Sequence, residues 1–454
     1  MNFAKMSLQE LTRKEGFQCS CGRVHRCPLK FLEIGSGVLS KLPEMIRTLG
    51  STKPFVITDR STYEAAGKEV LRILGEAEIP YVSYTIPMEH PKPGEWETGS
   101  VVMHLDPSCD LLLVVGSGVL NDIGKVVSLA TGVPNAVVGT APSMDGYASN
   151  SSSMEVNKVK CSLYNHAPQG ILLDTEILRK APMRMLQAGF GDMIAKYIAI
   201  CEWRISHLVT GEYYCEEIAE MMREALRKVV AGAARIPERD PEAVGAISEG
   251  LILAGIAMAF AEISRPASGL EHYFSHLWEM MALERGKPYD LHGIQVGVGT
   301  MLTLKLYQHI RKLQPSREKA EAHMAAFSPA AWEEEVHRVF GKTADEVLEI
   351  EKTAHKNDPA GHAVRLTRIL ENWEIIQKII DEELPDPLWI QQMMQKIGEP
   401  VRPSDLEISL ADTLDAFTSS RDIRNKYLTS TLLWDLGEID EFRAILEKEA
   451  EILL

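Results

Sequence analysis

The run Cys109-Asp-Leu-Leu-Leu-Val-Val115 passes without interruption into Gly116-Ser-Gly118, and this junction constrains the fold more than any other stretch of the chain. A continuous apolar run of this length is the pattern of a strand covered on both faces, as in a parallel sheet flanked by helices. The glycines predict a tight turn, Asn121 to Ala130 a helix, and Asn135 to Val138 a further strand. Strand, glycine turn, helix and strand together make a βαβ unit. Lys53 to Asp59, a short apolar run ending in an acid, and Ile79 to Ile86 supply more strands for the same sheet.

After about Leu178 the pattern becomes helical. Apolar periodicity predicts helices over Met183 to Leu208, Cys215 to Ala234 and Ala243 to Ile263, then over Ser316 to Phe327, Ala330 to Phe340 and Gly361 to Ile380. Pro385-Asp-Pro387 and the segment from Gly398 to Ser404 punctuate the end of this region. In the tail, Glu438 to Leu454 reads as a helix for packing or for a dimer interface. A sheet domain followed by a helical domain would leave a cleft at their junction, a favoured place for ligands.

Composition excludes several classes. A formal charge of -16 argues against a nucleic-acid surface, which needs concentrated positive charge to release counterions. The most apolar stretch, LILAGIAMAF from Leu251, is too short to cross a bilayer, so no transmembrane insertion is expected. The first residues, MNFAKMSLQELTRKEGF, lack the apolar segment of a secretory signal, and seven cysteines make a poor disulfide framework. A cytoplasmic location is the expectation.

Small residues at Gly116, Ser117 and Gly118 would let backbone N–H groups approach a pyrophosphate at a helix terminus. The full GxGxxG pattern is missing, so an ordinary tight turn remains the alternative. Asp59, at the end of an early strand, could bind an adenosine ribose and favour NAD, or simply cap a helix. In Gly139-Thr140-Ala-Pro142-Ser143-Met-Asp145-Gly146-Tyr147, Pro142 and Gly146 build a loop. Thr140 and Ser143 offer hydroxyl donors to cofactor or substrate, and Asp145 could orient a substrate hydroxyl.

Asp192 and Lys196 stand four residues apart in a predicted helix, the spacing of an ion pair. His272 and His276 share one helical face, and His292 opens the next apolar segment. One carboxylate with two imidazoles can hold a divalent metal and leave positions open. Either Asp192, His272 and His292 form the set, or the close pair His272/His276 supplies two ligands; the residue types alone leave both open.

The ordered segments GSGVLNDIGK, GTAPSMDGYAS, GFGDMIAKY, RPASGLEHYFSHLWE and HGIQVGVGT resemble the glycerol-1-phosphate dehydrogenase branch of the iron-containing alcohol dehydrogenase and dehydroquinate-synthase-like superfamily, especially its bacterial AraM-like group. The resemblance spans approximately Phe31 to Leu304. It implies an α/β fold: an amino-terminal Rossmann-like parallel-sheet domain followed by an all-helical metal-binding domain. The expected division is an extension over 1–30, a dinucleotide-binding domain over 31–177, a helical metal and substrate domain over 178–398, and a helical extension over 399–454. The resemblance further implies that Asp192, His272 and His292 hold one divalent ion (Zn, Ni or Fe), that Asp145 serves the substrate, and that Gly116 to Gly118 and Asp122 contact NAD, with NADP as the alternative. Lys196 stands where some relatives carry another histidine, and Lys196 and His276 are expected near the substrate.

The implied reaction is reversible reduction of dihydroxyacetone phosphate to sn-glycerol 1-phosphate, catalysed with Asp145, Asp192, His272 and His292. Ser149-Asn150-Ser151, Lys196, Arg265, Ser268 and His276 are the candidate surroundings of a phosphorylated polyol or ketose, although Arg265 could equally form a helix-start salt bridge. A homo-oligomer, most simply a dimer, is expected. A dehydrogenase of glycerol or another small alcohol is the runner-up; a phosphate-eliminating lyase and a noncatalytic nucleotide-binding module are the readings from other classes.

Cys19-Ser-Cys21-Gly-Arg-Val-His25-Arg-Cys27 holds four soft ligands in unusual spacing. A second zinc and a locally packed or redox-sensitive cap are the two readings. His309, His323, His355 and His362 form no comparable set and read as structural.

Overall fold

Leu111–Gly116 is buried along its whole length, and a sheet of six parallel strands is built around it. The strands are β1 (Phe31–Gly35), β2 (Pro54–Asp59), β3 (Val82–Ile86), β4 (Leu111–Gly116), β5 (Asn135–Gly139) and β6 (Gly170–Asp174), in the spatial order β1-β6-β5-β4-β2-β3. This computed structural model describes residues 2–157 and 159–454. On one face, Leu111, Leu113 and Val115 join Val56, Val138 and Leu172 in a core closed by α1 (Leu42–Thr48) and α2 (Lys68–Glu76). The intervening Leu112 and Val114 are fully buried too, which is why the strand shows no polar alternation. After α3 (Glu95–His104) and β4 comes α4 (Gly118–Thr131), beginning two residues after the strand ends.

The chain forms two units, Met1–Met193 with Cys215–Ser264, and Ile194–Tyr214 with Arg265–Leu454. The first adds to the sheet α5 (Met183–Ile194) and the antiparallel helices α7 (Glu216–Gly232) and α8 (Pro241–Ala261), whereas α6 (Lys196–Thr210) belongs to the second. Among the described residues α8 is the one helix long and apolar enough to cross a membrane, and most of it is buried. A hairpin, Ser151–Val156 with Val159–Tyr164, lies outside the main sheet. Its Ser-Ser-Ser start carries no apolar period; the returning strand, which alternates Val159, Cys161 and Leu163 with more polar residues, was the one signal available.

The second unit is helical, with α9 (Leu270–Glu284) and α10 (His292–Ile310) at its centre. A Cβ on Gly299 would lie 2.4 Å from the Glu271 carbonyl oxygen, so the absence of a side chain there lets α9 and α10 approach backbone to backbone. The expected continuous helix over Gly361 to Ile380 is instead two, Pro359–Glu371 and Trp373–Glu383. Asn372 breaks it, its Nδ2 donating 2.8 Å back to the Arg368 carbonyl in competition with the helical ladder. In the last helix, Ile439–Glu449, Phe442 and Leu446 are buried, while Ile452 to Leu454 are exposed. The α/β class and the order of parallel sheet then helices agree with the sequence expectation.

Candidate active site

The sheet order reverses between β2 and β4: from β2 the chain moves outward to β3, and from β4 it moves the other way to β5. Ligands of open α/β sheets bind outside the carboxyl ends of strands at such a point. Asp59 ends β2 and Gly116 ends β4. Ser117 is the residue before α4 and its side chain makes no capping bond, so nothing of its own covers the first amides of the helix. Thr140 donates its N–H to the Gly116 carbonyl at 3.1 Å, tying the end of β5 to the turn; its side chain and that of Ser143 are buried. Asp59 caps the short helical turn Arg60–Thr62, accepting the Thr62 N–H at 2.7 Å, and burial raises its carboxyl above the usual range.

Asp122 faces inward. It accepts the Ser153 N–H at 3.1 Å and pairs at 3.0 Å with the fully buried Lys125. The Lys125 ammonium also donates to the Gly146 carbonyl (3.1 Å), the Ser149 hydroxyl (3.2 Å) and the Ser151 carbonyl, gripping the turn that carries Asp145. Tyr147 holds the same loop from within, its hydroxyl donating 2.7 Å to the Ala141 carbonyl. From α5, Gly189 meets the loop so closely that a Cβ would stand 1.9 Å from the Pro142 oxygen, and from α8 a Cβ on Gly255 would be 2.7 Å from that of Ala148. With its backbone so fixed, the loop points the Asp145 N–H at the Asp192 carboxylate, 2.9 Å away. Asp145 and Asp192, 47 residues apart, are thus one acidic pair in the first unit.

The second unit gathers the three histidines. Ring centroids of His272 and His292 are 5.3 Å apart, His276 and His292 5.5 Å, and His272 and His276 6.4 Å. The Nδ1 of His272 is 2.8 Å from the Glu271 carboxylate, and the Nδ1 of His292 is 3.0 Å from the Ser275 hydroxyl and 3.5 Å from Glu279. The Glu271 carboxylate, which only accepts, fixes the His272 tautomer that leaves Nε2 as the lone-pair donor, the arrangement expected behind a metal-binding imidazole; Ser275 orients the His292 ring. Donor atoms of His276, Glu279 and His292 also lie within 4.8 Å of one another. Glu271 accepts the Gly269 N–H at 2.6 Å, while its second oxygen is buried without a hydrogen-bond partner. Glu202 supports the start of α9, accepting the Leu270 N–H at 3.1 Å and the Thr429 N–H at 3.0 Å. Burial, and then the charge of Glu271, raises Glu202 to about 7. Glu202, Glu271, Ser275 and Glu279 were not singled out in the sequence; the one available signal was the adjacency of acids to the histidine motif.

Arg265 is buried, and its guanidinium donates to Glu212 (2.9 Å), the Tyr427 carbonyl (2.7 Å) and the Ser206 hydroxyl (3.0 Å), a salt-bridge geometry outside any helix start. Ser268 accepts from Lys426 at 2.7 Å. Lys196 is buried at the start of α6; the boundary at Ala195 puts it and Asp192 in different helices. Replacing Glu271 by glutamine is expected to weaken divalent-metal affinity about 10- to 100-fold, because an amide supports the His272 tautomer less strongly than a carboxylate. Metal titration of the metal-stripped protein measures it, and unchanged affinity would mean that His272 is not a ligand.

A family model described as iron-containing alcohol dehydrogenase matches residues 33–182. Over 437 residues the chain is 28% identical to a glycerol-1-phosphate dehydrogenase [NAD(P)+] of Halalkalibacterium halodurans, covering 95% of this chain and 98% of the relative. It is 33% identical over 297 residues to the enzyme of the same name from Bacillus licheniformis, covering 64% of this chain and 74% of that one. Among solved structures, glycerol dehydrogenase from Schizosaccharomyces pombe aligns with a TM-score of 0.59 at 12% identity, over 93% of this chain and 91% of that one, a likeness of fold alone.

Proposed function

This chain belongs to the glycerol-1-phosphate dehydrogenase branch of the iron-containing alcohol dehydrogenases, and from that premise we propose that it is an oxidoreductase reducing dihydroxyacetone phosphate to sn-glycerol 1-phosphate with NAD(P)H, reversibly. The observation that carries the catalytic part is the trio of imidazoles with carboxylate and hydroxyl partners on His272 and His292. Asp192, His272 and His292 are the proposed holders of one divalent ion. The donor set suits zinc, nickel or iron. The bound ion would supply Lewis-acid polarisation of the ketone, and the nicotinamide would supply the hydride.

The remaining work falls to the chain's own groups. Glu271 holds the His272 imidazole in one tautomer, and the Ser275 hydroxyl fixes the orientation of the His292 ring, so both spare reorganisation during reaction. Asp145, on a loop gripped by Lys125, orients a substrate hydroxyl, and its backbone N–H aims the Asp192 carboxylate. The turn Gly116-Ser117-Gly118 presents helix-terminal amides to the dinucleotide pyrophosphate. Thr140 and Ser143 line its approach, Asp122 holds the hairpin beside the turn, and Asp59 favours a ribose with a free 2′-hydroxyl. Ser149, Lys196 and His276 are the proposed substrate neighbours. Arg265, with its donors directed at Glu212, Tyr427 and Ser206, braces the segment before α9.

The test is turnover of dihydroxyacetone phosphate by zinc-, nickel- and iron-loaded protein with NADH and with NADPH, with chiral analysis of the product. Stoichiometric cofactor oxidation yielding sn-glycerol 1-phosphate is expected. Phosphate release without net cofactor change, preference for unphosphorylated glycerol, or cofactor binding without turnover would each overturn the proposal.

A further inference from the structure

The amino-terminal segment ends in a cluster that the catalytic reading does not use. Phe17–Gln18 and Val24–His25 pair as a two-residue ladder, and the turn between them carries Cys19 and Cys21. Phe3, Phe17, His25 and Phe260 pack their rings at 5.1–5.9 Å, seating this turn on α8. Beside it lies Cys215, the residue that precedes α7. The sequence suggested Cys27 as the fourth soft ligand; the structure replaces it with Cys215, 190 residues along the chain from His25.

We propose that Cys19, Cys21, His25 and Cys215 form a closed, four-coordinate zinc site that fastens the amino-terminal segment to α7 and α8. The donor atoms of these four residues all lie within 4.8 Å of one another. Zinc–sulfur bonds of about 2.3 Å and zinc–nitrogen bonds of about 2.0 Å, set tetrahedrally, demand sulfur–sulfur edges of about 3.8 Å and sulfur–nitrogen edges of about 3.5 Å. Cys19 Sγ and Cys215 Sγ are 3.7 Å apart, His25 Nε2 is 3.3 Å from Cys21 Sγ, and the same nitrogen is 3.8 Å from Cys215 Sγ. Three edges of the tetrahedron therefore stand within about 0.3 Å of their coordinated lengths.

The histidine is prepared for this role. His25 is buried, and its Nδ1 lies 2.7 Å from the Phe260 carbonyl, which can only accept. The proton is thereby held on Nδ1, and the Nε2 lone pair faces the sulfurs. Cys215 stands at the amino terminus of a 17-residue helix, which holds its sulfur at a fixed position facing the turn. Arg23 donates to the Ala261 carbonyl at 3.3 Å and fixes the far side of the turn. Zinc entering the site displaces three thiol protons to solvent, and the three thiolates and one neutral imidazole complete its shell with no position left for substrate. This separates it chemically from the acid-and-imidazole set, which contains no sulfur.

Cobalt substitution of the full-length protein tests the site, because only thiolate ligands give sulfur-to-cobalt charge-transfer absorption. The band is expected in the wild-type protein and in a His272→Ala/His292→Ala double variant, unchanged in Cys27→Ser, and lost in Cys21→Ser together with about one equivalent of metal per chain. Cys21 is the half-exposed member of the set, so its replacement disturbs packing least, and the wild-type and Cys27→Ser spectra read the site without relying on any variant that misfolds. Absence of the band from the wild-type protein would overturn the proposal, as would its loss on replacing Cys27, its survival on replacing Cys21, or a Cys19–Cys215 disulfide in unreduced protein.

Discussion

A His272→Ala protein is expected to lose about a thousandfold or more in kcat/KM for dihydroxyacetone phosphate, together with about one equivalent of bound metal, since removing Lewis-acid stabilisation forfeits several kcal/mol of barrier lowering. The imidazole sits in a buried position with its Nδ1 on Glu271. Its truncation also leaves Glu271 with the Gly269 N–H as its remaining hydrogen bond, so about 1–3 kcal/mol of stability is expected to go with it. His276→Ala is the informative contrast. His276 is stacked on His292 at 5.5 Å and is proposed to sit beside the substrate, so its loss should lower turnover while the metal stays. Metal analysis beside steady-state kinetics separates the two. Equal metal loss in both variants would transfer the ligand role to the close pair His272/His276, the other arrangement that their spacing permits.

The parts of the molecule legible in the sequence are those in which local pattern and tertiary role coincide. Cys109 to Val115 is apolar throughout because both faces of β4 are covered, and Gly116 to Gly118 follows because the chain must reverse at once into α4. The grouping of His272 with His292 was readable from the ordered motifs, and their ring centroids stand 5.3 Å apart, whereas the residue types alone left two ligand arrangements open. What was not legible depends on distance along the chain. Glu202 supports α9 from 68 residues away, and Cys215 meets His25 from 190 residues away, which no local spacing can encode. Arg265 illustrates a third case. A basic residue near a predicted phosphate site looks the same in sequence whether its donors face a ligand or, as here, Glu212, Ser206 and a carbonyl. The hairpin of Ser151–Val156 with Val159–Tyr164 went unread because its first strand opens on three serines and the short alternation of the second has no recognisable partner in the sequence.

Lys125→Met is expected to cost about 3–5 kcal/mol of stability, the range for breaking a buried charge pair from one side. The substitution nearly conserves volume, so the cavity contribution is small and the loss reports the ammonium. Four acceptors lose the ammonium at once: Asp122, the Gly146 and Ser151 carbonyls and the Ser149 hydroxyl, each keeping a weaker neutral hydrogen bond. Because Asp122 keeps some exposure, water can repay part of that debt, and the lower end of the range is the better expectation. At about 2–4 °C per kcal/mol for a unit of this size, the midpoint should fall by roughly 6–12 °C. The functional consequence follows from position rather than charge. Gly146 is the neighbour of Asp145, and a shift of the turn by about 1 Å is enough to lower kcat/KM by about a hundredfold. Metal content should fall far less than in His272→Ala, because Asp192 and the histidines are untouched. Thermal denaturation, kinetics and metal analysis on the same preparation check all three expectations. A stable, fully active Lys125→Met protein would show that Tyr147, Asn121 and the close approaches of Gly189 and Gly255 suffice to hold the loop, and that the lysine in GSGVLNDIGK has another purpose.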